Sequence, residues 1–166
     1  MGGTMRMLGI LIGVVITIIG MVYLASYISR AFSGTKTSQT MGEFTTIVAN
    51  VQGLYASQPN FSGLTETAAI DANVFPGTMA VNGATTATDV YGGDVVVSAA
   101  GNPDEFTVSF SNIPNSTCIK LGSGYQSSNL VSLSVGSASL TLSDINPAAL
   151  AGACTGGTNT MTWTLN

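Results

Sequence analysis

The chain has 166 residues, 45% of them hydrophobic and only 7% charged, with four cations against eight acids and a net charge of −4. Residues 31–166 hold two of the cations and all eight acids, so no clustered Lys or Arg is present to track phosphates and nucleic-acid binding is not expected. Histidine is absent, which removes the commonest general base and metal ligand, and neither catalysis nor a metal or other cofactor is expected.

The first element is residues 7–29, MLGILIGVVITIIGMVYLASYIS, an uncharged run of 23 residues preceded by Arg6. As a helix with a rise of about 1.5 Å per residue it reaches roughly 35 Å, enough to cross a bilayer with some tilt. A signal peptide carries an apolar region of about 7–15 residues and a small-x-small exit; this run is longer, and Tyr23-Leu24-Ala25-Ser26-Tyr27 is a poor exit. The segment is therefore expected to stay on the chain. Its apolar positions Met7, Leu8, Ile10, Leu11, Val14, Val15, Ile18, Ile19 and Val22 need lipid or identical neighbouring helices around them. Gly9 and Gly13 have the spacing that lets apolar helices approach closely. Each glycine weakens a helix by about 1 kcal/mol relative to alanine, so unwinding between Gly13 and Gly20 costs little. Arg6 has two readings, a contact with lipid phosphates or a snorkelling positive flank.

The helical pattern outlasts the apolar run, and no proline occurs before Pro59. Met41, Phe44, Ile47, Val48, Val51, Leu54 and Tyr55 recur at steps of three and four, one face of an amphipathic helix. The spacing predicts a single helix from about residue 5 to Ser57, close to 80 Å long at about 1.5 Å per residue. Two parts follow: residues 1–57 as a helical spine and residues 58–166 as an α/β head. The face formed by Phe44, Ile47, Val48, Val51, Leu54 and Tyr55 is expected to pack on that head.

Pro59 ends the helix. Thr65 reads as the cap of a short helix to Ala72, with Glu66 in its first turn. Phe75-Pro76-Gly77 turns the chain. Asp94–Ala99 and Glu105–Phe110, the latter with Phe106, Val108 and Phe110 in strict alternation, predict a β-hairpin. Pro114–Leu121 is expected as a short helix carrying Cys118. Leu130–Val135 and Ala138–Leu142 read as strands around Gly136-Ser137, and Asn146 as a cap with Pro147 opening a helix to Cys154. Thr158–Leu165 closes the chain as a strand with Met161, Trp163 and Leu165 on one side. About five strands, mostly antiparallel, are expected against one long helix, an α+β fold.

Cys118 and Cys154 are the only cysteines. A membrane-anchored head on the oxidising side would pair them, buried free thiols being the alternative. Other chemistry is sparse. Asp104-Glu105 reads as solvated turn charge rather than a hydrolytic pair. Asp89 and Asp94, flanking Tyr91-Gly92-Gly93, could hold a cation but suit a turn better. Gly92-Gly93 lacks the lysine and helix of a phosphate loop. Trp163 could stack on a sugar, and a terminal strand face makes core the stronger reading.

The order of parts resembles the type IV pilins, and several phrases resemble the type IVb branch, most like the major subunits of conjugative thin pili. They are Leu64-Thr65-Glu66-Thr67-Ala68-Ala69-Ile70 before Val74-Phe75-Pro76, Asp89-Val90-Tyr91-Gly92-Gly93 before a strand, and Phe106-Thr107-Val108 followed by Ile113-Pro114 and Cys118. Cys154 and Met161-Thr162-Trp163-Thr164-Leu165 fit the same plan. The resemblance spans the whole chain. It implies a long helical spine packed against an antiparallel sheet, with one disulfide in the C-terminal third. It also implies a subunit held in the inner membrane, cut by a prepilin peptidase after a glycine, and passed by the pilus assembly machinery into an extracellular homopolymer. That pilus would serve cell contact such as conjugation, adhesion or aggregation. A minor pilin or secretion pseudopilin, or a membrane-tethered glycan-binding module, are the alternatives. The family usually places glutamate at the fifth mature position, whereas this chain has Met5 then Arg6 and no acid before Glu43. Met1 is expected to lie past the cut, with cleavage between Gly3 and Thr4 as the other option.

Overall fold

The computed structural model describes residues 34–83 and 86–166. The run 7–29, Arg6, Gly9, Gly13 and Gly20 lie outside the described residues, and with them the expected bilayer span. Among the described residues no helix is long and apolar enough to cross a membrane.

The described chain opens with helix α1, residues 34–55, which ends within two residues of the expected Ser57. Helix α2 (Glu66–Asp71) follows, capped by the Thr65 side chain, which accepts from the Ala68 N–H. Then come strands β1 (Ala80–Asn82), β2 (Thr86–Thr88), β3 (Asp94–Ala99) and β4 (Phe106–Pro114), helix α3 (Asn115–Gly124), and strands β5 (Leu130–Val135) and β6 (Ala138–Thr141). Helix α4 (Pro147–Ala153) begins where the Asn146 side chain accepts from the N–H groups of Ala148 and Ala149, and β7 (Thr158–Leu165) closes the chain.

Among the described residues the strands form one sheet in the order β1-β2-β3-β4-β7-β5-β6, and every pairing is antiparallel. The terminal strand thus lies in the middle, between β4 and β5. Seven strands exceed the five expected because β1 and β2 are three residues each and β1 is exposed throughout, so no alternation marks it. Strand β4 runs past Phe110 through an irregularity before Ile113, where Asn112 has φ 58° and its side chain donates to the Tyr91 carbonyl. Gly93 faces that bend: a Cβ there would stand 2.0 Å from the Ser111 carbonyl oxygen, so only glycine fits.

The period of two divides the sheet cleanly. Phe106, Val108 and Phe110 on β4 and Met161, Trp163 and Leu165 on β7 are all buried, and they face α1 and the helices. Their neighbours in sequence turn outward as hydroxyls bonded to each other, Ser98 to Thr107 and Ser109 to Thr162, each at 3.0 Å. The apolar joint centres on Phe44 of α1, whose ring lies 4.5 Å from Trp163, 4.7 Å from Tyr125 and 6.2 Å from Phe110. Trp163 is 1% exposed and is core, which excludes stacking on a sugar.

Ile47, Val48 and Val51 are buried on the same face, and Tyr55 is partly buried with its ring 5.4 Å from Phe61. Leu54 departs from the expected packing face: it is 46% exposed. It sits at the outer margin of the stripe, since successive residues turn about 100°, and it falls in the last turn. The compact unit runs from Lys36 to Asn166, so most of α1 belongs with the sheet.

Candidate functional site

Cys118 on α3 and Cys154 at the end of α4 form a disulfide with Cα atoms 6.0 Å apart. In the chain-entropy model, closing a loop of this length stabilises by about 4 kcal/mol. The two helices also touch directly. Gly122 of α3 lies under Leu150 of α4, where a Cβ would come within 2.7 Å of a Leu150 methyl. Beside this bridge an open depression of about 340 Å³ is lined by residues including Gly136, Ser137, Gly152, Thr155, Asn159 and Thr160. Its described lining residues carry no thiol, carboxylate or amine and offer hydrogen bonding.

The other residues singled out by sequence separate. Asp104 is exposed at the β3–β4 turn, and Glu105 accepts from the Asn102 side chain at 2.8 Å. Asp94 is exposed. Asp89 closes its own turn: Oδ1 accepts from the N–H groups of Tyr91 at 2.8 Å and Gly93 at 2.9 Å. Among the described residues no group of three or more acidic, thiol or imidazole side chains is placed to hold a metal.

What sequence reasoning missed is a buried polar layer where the first turns of α1 meet the β2–β3 turn. Thr40, Glu43, Asp89 and Thr117 are all buried there. Glu43 Oε1 accepts from the Gln39 amide at 2.8 Å and from the Thr78 hydroxyl at 2.9 Å. The Tyr91 and Thr117 hydroxyls are 3.0 Å apart, Thr37 lies 3.2 Å from Thr117, and Lys36 Nζ sits 5.5 Å from the centre of the Tyr91 ring. Burial holds the Asp89 carboxyl above the ordinary carboxylate range, the Glu43 charge adds to that, and the backbone N–H groups of Gly93, Tyr91 and Gly92 oppose it. A weak signal was present, since Glu43 adjoins Phe44 at the margin of the apolar stripe.

The outward face of α1 is unlike an ordinary solvated helix. Gly42, Thr45, Thr46, Ala49 and Gly53 are exposed there, and all are small and uncharged.

A long helix laid on an antiparallel sheet, with a disulfide bounding the C-terminal third, is the type IV pilin fold. The crystal structure of TcpA, a type IV pilin from Vibrio cholerae El Tor biotype, matches with a TM-score of 0.55 and 10% identity, over 80% of this chain and 99% of that one. The NMR structure of the type IVb pilin PilS from Salmonella typhi matches with a TM-score of 0.52 and 20% identity, over 78% of this chain and 96% of that one. No curated protein matches the chain in sequence. The family model described as PilS N terminal matches residues 34–166. The chain therefore belongs to the PilS family of type IVb pilins. It is a pilus subunit, a structural protein of a kind that polymerises into extracellular filaments of identical copies.

Proposed function

We propose that this chain is the major, filament-building subunit of its pilus and that it works in cell contact such as conjugation, adhesion or aggregation. The observation that carries the reading is the outward face of α1. A helix face meant for water carries charge, whereas Gly42, Thr45, Thr46, Ala49 and Gly53 are small and neutral and permit close approach by a neighbouring copy. The uncharged run 7–29 precedes that helix in sequence. It waits in the inner membrane as a bilayer span, is processed by a prepilin peptidase, and enters the filament core through Met7, Leu8, Ile10, Leu11, Val14, Val15, Ile18, Ile19 and Val22.

These helices leave lipid rather than water, so close packing supplies most of the gain on assembly. Gly9, Gly13 and Gly20 make local unwinding cheap on that passage. Arg6 contacts lipid phosphates before assembly, beside Met5, which stands where the family usually has an acid.

Shearing cells and quantifying the chain in the released fibres tests the reading. A major subunit is the dominant protein of long fibres. Trace amounts in the fibres would make it a minor pilin, and retention in the membrane fraction would make it a pseudopilin or tethered module. For Arg6, the Arg6→Gln variant is expected to lower pilus yield, and normal insertion with normal yield would leave it only a flanking charge.

A further inference from the structure

The buried layer between α1 and the β2–β3 turn leaves two carboxylate oxygens unanswered. Glu43 is 3% exposed and Asp89 is 6% exposed. One oxygen of each is engaged, while Glu43 Oε2 and Asp89 Oδ2 are buried without a hydrogen-bond partner among the described residues. The two groups lie on different elements, yet the charge of Glu43 reaches Asp89. An unpaired buried carboxylate costs several kcal/mol even after relaxation, and a like charge nearby adds to that cost.

Two species could relieve it. A hard cation such as calcium takes about 6–8 oxygen ligands, and this layer offers two free carboxylate oxygens. A proton needs no ligand shell. The ionisable groups on the surrounding elements do not replace it. Lys36 on α1 is exposed and lies over the Tyr91 ring, Asp94 on β3 is exposed, and Lys120 on α3 is exposed; Thr78 and Thr117 contribute only hydroxyls.

We propose that Glu43 and Asp89 form an acid-sensitive latch, in which one proton taken up by Asp89 removes the repulsion between α1 and the β2–β3 turn and tightens the helix onto the sheet. The proton passes from solvent to a carboxylate oxygen, so the pair's charge falls from −2 to −1, and no other bond changes. The direction of the pH dependence follows from Asp89, whose folded pKa lies above its usual 3.8. Its stabilising contribution is complete below that usual value and is lost as pH rises through the folded pKa. Acid thus firms the joint by which α1 is held, and neutral solution loosens it.

Thermal melts of the full-length chain in detergent micelles, at pH 4 and pH 7.5, test the latch. Asp89→Asn keeps an oxygen for the Tyr91 and Gly93 amides and removes the negative charge that Glu43 meets. Its Tm is expected to exceed that of the unaltered chain by about 3 °C at pH 7.5, with a much smaller difference at pH 4. Glu43→Gln provides a second variant should the turn tolerate Asn poorly, and it should show the same pattern. The double variant should gain little over either, because both relieve one repulsion. Variants that lower Tm equally at both pH values would overturn the proposal. So would added calcium chloride that raises the Tm of the unaltered chain at pH 7.5 but not that of the variants, which would make the pair a cation site.

Discussion

Helix α1 is held to the sheet by two joints of opposite chemistry, at adjacent residues of one helix. At Phe44 the joint is aromatic and dry, with the rings of Trp163, Tyr125 and Phe110 gathered round it. At Glu43, the preceding residue, the joint is a carboxylate held by Gln39 and Thr78 and faced by the charge of Asp89. The first joint stabilises through buried apolar area, about 1.5–3 kcal/mol for a fully buried side chain. The second spends part of that gain on a desolvated charge. The contrast teaches that a helix can be anchored firmly by one residue and conditionally by its neighbour, so that solution conditions act on the second alone.

Three substitutions and one reduction would break or sharpen this contrast. The largest effect should come from the apolar joint: Phe44→Ala is expected to cost about 3–5 kcal/mol, measured by urea unfolding, at neutral and acid pH alike. A loss that depended strongly on pH would merge the two joints into one. Next, reducing the Cys118–Cys154 bridge should cost about 4 kcal/mol by the loop-closure model, read from the shift in urea midpoint, and should leave the pH dependence of the α1 joint unchanged. Smaller still, Asp89→Asn should raise stability at pH 7.5 and much less at pH 4, as the melts above would show. The least effect on folding belongs to Ala49→Lys on the outward face of α1, within about 0.5 kcal/mol of the unaltered head. That same variant should nevertheless abolish fibres in the sheared fraction, because it puts a charge where a neighbouring copy is proposed to pack.

Much of this architecture was legible in the sequence because it rests on strong local patterns. The step of three and four from Phe44 to Val51 marked the buried face of α1, and the alternation at Phe106, Val108 and Phe110 marked the inward face of β4. Thr65 and Asn146 cap the helices assigned to them. Cys118 and Cys154 pair, as the oxidising-compartment argument anticipated.

What escaped has physical reasons. Strand β1 is exposed along its length and, among the described strands, pairs with β2, so periodicity carries no trace of it. Leu54 satisfies the helical step yet stays exposed at the margin of the stripe, because spacing alone does not say how wide a surface the sheet presents. The polar layer was invisible for a third reason. Asp89 looks like any turn-forming aspartate, and its pairing with Glu43 joins residues 46 positions apart through tertiary packing.

The outward face of α1 is where the proposed function stands or falls. A helical reconstruction of the sheared fibres gives the most direct measurement. Gly42, Thr45, Thr46, Ala49 and Gly53 of each copy are expected to lie against a neighbouring copy, with backbone close enough to leave no room for a larger side chain at Gly42 or Gly53. Fibres in which that face is open to solvent, or fibres built from another protein altogether, would contradict it.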